Sequence, residues 1–192
     1  AGAMGGSASE EFLSPSPIGE DTFVRSPGGY AANVEAVATV VPAKIAIDGQ
    51  AAAEVLVTPA CSNIKRIVAW ANENFKRADG SEWTAAHTLK NNVMALVSPE
   101  GKRELVIVGL PGDREVDVKR AEAAFSPNEI EQANEEDFKA HPELIKGYIG
   151  PVKDGDAVLG LKGVSKIRYL LDPRVVEGSA WLTGANVSEQ HV

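Results

Sequence analysis

Few residues in this chain carry chemical potential, and most of them sit on turns marked by glycine or proline. The stretch KGYIGPVKDG, residues 146–155, sets Gly147 and Gly150 around two apolar residues, with Pro151 next and lysines on both sides. Glycines so placed let the backbone turn tightly and bring bare N–H groups close to a ligand. Lys90 opens a β-rich run and shares its face with Thr88 and Asn92. Thr58-Pro59 precedes a helical pattern, Asp172-Pro173 closes a strand pattern, and His191 stands next to the final residue. Each has a structural reading beside the chemical one: an exposed edge lysine, turn chemistry, a strand terminator and a fraying end.

Several chemistries lack their signatures. His87, His141 and His191 are far apart, and none has a neighbouring Ser or Cys in a nucleophile-elbow context such as GxSxG. Neither a Walker loop nor GxGxxG is present, so nucleotide binding has no local motif. Cys61 is the only cysteine, which rules out an internal disulfide and any CxxC metal spacing and fits a reducing cytoplasm.

A formal charge of −8 argues against general nucleic-acid binding, which needs clustered Lys and Arg. The charge is uneven: residues 101–145 hold 11 acids against 6 bases, whereas residues 146–174 hold 6 bases against 3 acids. A positive strip thus coincides with the glycine turn, either as a solvated loop or as part of a site.

These residues must be positioned by the elements around them. With 192 residues and 44% apolar composition, the chain can bury a core unaided. No apolar run approaches the roughly 20 residues needed to span a bilayer, and the N-terminus lacks the order of a secretory signal, so a soluble protein is expected. The first 30 residues are rich in Gly, Ser and Pro and begin at Ala1, which reads as a piece of something larger. YAANVEAVAT carries a short helical pattern, and VPAKIAIDGQAAAEVLVTPA reads as a connector with one extended stretch.

Ser62 is the expected N-cap of a helix through IKRIVAWANENF, where Ile64, Ile67, Val68 and Ala71 recur at helical spacing. TLKNNVMALV and RELVIVGL, joined by SPEGK, predict a hairpin. Asp113 is the expected cap of a helix through VDVKRAEAAF, with Val118, Ala121 and Phe125 inward. Ser126 and Glu129 form a capping-box pattern for a further helix, NEIEQANEEDFKA. KIRYLLDPRVV and SAWLTGANV read as strands. Strands interrupted by helices without βαβ regularity predict an α+β domain with a mixed, mostly antiparallel sheet.

Read together, these segments resemble the editing insertion of bacterial prolyl-tRNA synthetases and the strands that flank it. GGSASEEF at 5–12 resembles that family's GGSxSHEF, and GYAANVEAV its entry into the insertion. LPGDREVDVKRAEAAF matches its GDxE…K signature, GYIGP its GxxGP turn, and DPRVV with TGANV…H its closing strands. The motifs follow the family order over nearly the whole chain. Three departures stand out: Glu10 replaces the usual His, the surroundings of Thr58 match only loosely, and NENFKRADGSEWTAAH is longer than in some relatives.

The resemblance implies a YbaK-like deacylase fold over residues 48–192, a connecting helix and linker at 33–47, and a flank of the class II catalytic domain at 1–32. It implies hydrolysis of alanine wrongly esterified to tRNA(Pro), with the acceptor 3′ end and the rest of the synthetase as partners. Lys90, Gly147, Gly150 and His191 fall to the catalytic set and Thr58, Ile67, Asp172 and Pro151 to substrate binding, with no metal. Gly147 to Pro151 would offer backbone amides to the ester, and Lys90 would hold the 3′ end of the tRNA. The fragment would need no cofactor. The parent, a cytoplasmic homodimer with no membrane association, would use ATP and Mg to ligate proline to its tRNA, and its ATP-holding motifs fall outside this chain. An inactive insertion that stabilises the synthetase or helps to bind tRNA is the alternative.

Overall fold

A computed structural model describes residues 12, 14–19, 22–37, 40–46 and 51–192. Of the GGSASEEF segment only Phe12 falls within that set; Glu10 lies outside it. The chain divides into two compact units, Ala1–Ala38 and Thr39–Val192. In the first, β1 (Phe23–Arg25) pairs antiparallel with β2 (Ala31–Asn33) across a turn in which Gly29 takes φ +87°. The helix expected over YAANVEAVAT shrinks to a 3-10 turn at Val34–Ala36, because its first residues are drawn into the ribbon with β1.

The second unit opens with β3 (Leu56–Val57) and α1 (Ile64–Asn74), followed by the hairpin β4 (Leu89–Val97) and β5 (Arg103–Pro111). Then come α2 (Val118–Phe125), β6 (Glu129–Gln132) and α3 (Glu135–Ala140). A small ribbon of β7 (Val152–Lys153) and β8 (Asp156–Ala157) precedes β9 (Arg168–Leu171) and β10 (Gln190–His191). The main sheet has the order β6-β4-β5-β9, antiparallel except for the parallel β5–β9 pair. This is the expected α+β class.

Residues alternate between the two faces of a strand, and the hairpin follows that rule. Val93 and Ile107 pack with Leu144, Val158, Leu159 and Ile167 on one side. Met94, Leu96 and Val106 pack with Ile130 on the other, where Ala121 and Phe125 of α2 cover them. A third cluster joins Ile67 and Ala71, one turn apart on α1, to Cys61 and Leu182. It fastens α1 next to the start of β4, where Leu182 bridges Thr88.

Local competition moved four boundaries. The cap of α1 is Asn63, whose Oδ1 accepts from the Arg66 N–H at 3.0 Å, and not Ser62. Ser62 instead lies against Gly147, where an added Cβ would come within 3.1 Å of it. Asp117, not Asp113, caps α2 by accepting from the Arg120 N–H, and Val118 is exposed rather than inward. The helix expected over NEIEQANEEDFKA is half strand: Ile130 enters the sheet core between exposed acids, and packing outweighs the Ser126–Glu129 cap. The helix starts only at Glu135, under a reciprocal box made by Asn134 and Asp137. SAWLTGANV makes only isolated bridges, Leu182 to Thr88 and Gly184 to His191.

Candidate active site

A recess of about 480 Å³ lies beside the start of β4, with Lys90 on its lining. Its apolar side is formed by Ile64 and Ile67 of α1 with Leu182. The lining also includes Gly147, Ile149 and Gly184, together with Lys90 and His191. Lys90, Gly147, His191 and Ile67 are therefore brought together. Thr58 stands directly behind His191.

Two glycine-bearing loops meet main chain to main chain. A Cβ on Gly150 would lie 1.5 Å from the carbonyl oxygen of Gly184, and one on Gly184 would lie 2.1 Å from that of Tyr148. Gly147 is required differently, since its φ of +87° belongs to the left-handed region. Gly147, Ile149 and Gly184 line the recess, and their backbone N–H groups have no hydrogen-bond partner among the described residues. Gly150 differs from the expectation placed on it: its N–H donates to Asn186 Oδ1 at 3.1 Å, so it serves close packing and offers no free donor. Pro151 has no N–H and its carbonyl accepts from Val158, away from the recess lining.

His191 does not fray. As part of β10 it pairs with Leu56 of β3 and is buried, with Tyr148 packed edge-on at 5.4 Å. Its Nδ1 lies 2.6 Å from Thr58 Oγ1, and that fully buried hydroxyl has no other partner among the described residues. Hydrogen-bond accounting therefore makes Thr58 the donor and puts the imidazole proton on Nε2. Burial pushes the ring pKa down to about 4, so the ring is neutral at pH 7.

This gives a pH signature. The unfolded chain takes up the His191 proton near pH 6.5, the folded chain only near 4. The ring's contribution to stability is complete above pH 6.5 and is lost as pH falls from there towards 4. The urea midpoint should drop through that window, and His191→Gln should flatten the drop. Parallel profiles for the two proteins would contradict a neutral buried ring.

Lys90 has a side chain only 18% exposed, and its Nζ donates to Glu115 at 2.6 Å, a carboxylate that is 83% exposed. Asn91 and Thr183 also line the recess, and Asn91 Nδ2 donates to the Ile149 carbonyl at 2.9 Å and to Thr183 Oγ1 at 3.0 Å. Asn91 Oδ1 in turn accepts from the Tyr169 hydroxyl, whose pKa burial pushes above its ordinary value. Tyr169 reaches that position over Gly109, where a Cβ would lie 2.7 Å from its oxygen.

Asp172 is not brought to the recess. Burial opposes its ionisation, but the guanidinium of Arg174 at 3.0 Å prevails and keeps the carboxyl below its usual value. The positive strip is likewise divided, with Lys146, Arg168 and Arg174 paired to Glu135, Glu104 and Asp172. Sequence reasoning missed Asn91, Glu115, Thr183, Gly184 and Asn186. The one local signal was the TGAN segment, since Asn is among the residues that tolerate the left-handed conformation Asn186 adopts, at φ +55°.

A recess lined by main chain, a lysine and a neutral imidazole in an α+β domain has the size and make-up of a small-ligand site. The chain belongs to the aminoacyl-tRNA editing domain family, whose model matches residues 77–192. Over 192 residues it is 60% identical to a proline--tRNA ligase of Clavibacter sepedonicus and 59% identical to one of Leifsonia xyli subsp. xyli. It is also 59% identical over 191 residues to one of Kineococcus radiotolerans. All of this chain is covered in each case, but only 32% of the relative, so it spans about a third of their length. No helix among the described residues is long and apolar enough to cross a membrane.

Proposed function

We propose that the chain hydrolyses the ester between alanine and tRNA(Pro), acting within a longer proline-tRNA ligase. In that protein, which would charge its tRNA with ATP and Mg as a homodimer in the cytoplasm, this part corrects errors of the synthetic site. A proline site cannot strongly reject a smaller amino acid, because a missing methylene is worth only about 1–3 kcal/mol. In this reading the recess is the second sieve, with Ile64, Ile67 and Leu182 beside the alanine methyl group and the main-chain wall too near to admit the pyrrolidine ring.

The observation that carries this reading is the juxtaposition of the unpartnered N–H groups of Gly147, Ile149 and Gly184 with Lys90 on one lining. An aminoacyl ester is already activated, so positioning and an oxyanion cradle suffice for attack by water. Water adds to the carbonyl carbon, the main-chain donors hold the resulting oxyanion, and collapse releases alanine and the tRNA 3′-hydroxyl. Neutral His191 contributes an Nε2–H donor to the same space. The neighbouring 2′-hydroxyl of the terminal adenosine assists the attacking water.

The test is release of amino acid from Ala-tRNA(Pro) and Pro-tRNA(Pro) by the isolated chain. Loss of alanine alone is expected, and a tRNA ending in 2′-deoxyadenosine should bind but resist hydrolysis. Release from neither charged tRNA would mark a structural or tRNA-binding insertion; full activity on the deoxy substrate would remove the 2′-hydroxyl from the mechanism.

A further inference from the structure

Asn186 is buried at 3% exposure, yet it makes no contribution to the recess lining. All of its recorded polar contacts go to one loop. Its backbone N–H donates to the Tyr148 carbonyl at 2.9 Å. Its side-chain Nδ2 donates to the carbonyls of Gly150 at 2.6 Å and Val152 at 3.0 Å, while Oδ1 accepts from the Gly150 N–H at 3.1 Å. One carboxamide thus satisfies both main-chain groups of Gly150.

The consequence follows from the planarity of the peptide unit, in which a carbonyl and the next N–H point in opposite directions. Fixing the Tyr148 carbonyl on Asn186 turns the Ile149 N–H the other way, and Ile149 is a lining residue with no partner for that group among the described residues. Fixing the Ile149 carbonyl on Asn91 and the Gly150 N–H on Asn186 settles the next peptide plane as well. With both planes held, the loop cannot flip its donors without breaking buried hydrogen bonds.

We infer that Asn186 is a positioning residue for the deacylation reaction: its backbone N–H holds the peptide plane that carries the Ile149 N–H, and its carboxamide clamps the planes that follow through Gly150 and Val152, so that the Ile149 N–H remains available to the reacting ester. The activity readout rests on the proposed deacylase function; the loop geometry does not.

The variant Asn186→Gly isolates the carboxamide, because glycine accepts φ +55° without strain and keeps the backbone N–H. Asn186→Asp keeps the acceptor but turns an oxygen towards two carbonyls. For Ala-tRNA(Pro) deacylation, kcat should fall at least about tenfold in the glycine variant and further in the aspartate variant, with KM within about twofold of wild type. By amide exchange followed by NMR, Gly150 in the unaltered chain should be slow while Ile149 is fast, and Asn186→Gly should speed Gly150. A kcat within twofold of wild type, or a Gly150 amide that exchanges as fast as Ile149 in the unaltered chain, overturns the inference. Should the unaltered chain release no alanine, the functional reading fails, and the exchange pattern alone decides whether Asn186 fixes the loop. Should a variant not fold, the exchange contrast in the unaltered chain still decides.

Discussion

Alanine at position 150 should abolish most of the deacylase activity and lower the melting temperature. The added methyl carbon would lie 1.5 Å from the Gly184 carbonyl oxygen and 2.6 Å from its carbon. Those atoms belong to main chain held by the exchange of two 2.8 Å hydrogen bonds between Thr183 and Val192, so no flexible side chain can swing aside. Ordinary contact then requires the two loops to separate by about 2 Å, in an interior packed as densely as a molecular crystal. Overpacking of this kind costs on the order of 1–3 kcal/mol. A misplacement of about 1 Å at a reacting centre can cost roughly 100-fold in rate, and here the displaced segment contains Ile149. Gly155→Ala is the control, because Gly155 has positive φ but nothing within 4 Å of an added Cβ. It should lose some stability and retain activity. Single-turnover deacylation and thermal melts of both variants measure the contrast, and a Gly150→Ala variant as active as Gly155→Ala would refute the close-packed wall.

The contrast between these glycines also shows what a sequence can and cannot convey. GYIGP announced a turn, and Gly147 with its positive φ is that turn. The reason for Gly150 lies 34 residues away in Gly184, and no local pattern records a contact between two main chains. The β4–β5 hairpin was legible because two β-rich runs flank the Pro- and Gly-bearing SPEGK turn, and the Ser98–Lys102 closure agrees with them. NEIEQANEEDFKA was misread as one helix because its cap signal and its single buried Ile130 pointed to different structures, and the sheet decided. His191 read as a frayed end by position. Its burial comes from β3, far back in the chain, and only the family resemblance had given it a role. Asn91 illustrates the remaining gap: its partners Ile149, Tyr169 and Thr183 are 58, 78 and 92 residues distant, so its role exists only after folding.

Removing the ammonium group of Lys90 should reduce kcat/KM on Ala-tRNA(Pro) by roughly 10- to 100-fold, the equivalent of a charge-assisted hydrogen bond worth about 1.5–3 kcal/mol. Lys90→Met is the informative variant, since it keeps the stem along the recess and removes only the charge. In the unliganded chain that charge is held by Glu115 at 2.6 Å, but a pair whose carboxylate stands open to solvent contributes little stability, so the variant should fold normally. The same weakness lets a phosphate of the tRNA 3′ end take the lysine from Glu115, exchanging one anionic partner for another. Salt separates this role from a steric one. If Lys90 neutralises one phosphate of a single strand, the slope of log(kcat/KM) against log salt should become shallower by about 0.7 in Lys90→Met. Glu115→Gln frees the lysine without removing it, so its slope should match that of the unaltered chain and its kcat/KM should stay level or rise. A Lys90→Met slope indistinguishable from wild type would mean that the ammonium group meets no phosphate, and its place on the lining would have to be explained by contact with the aminoacyl group instead.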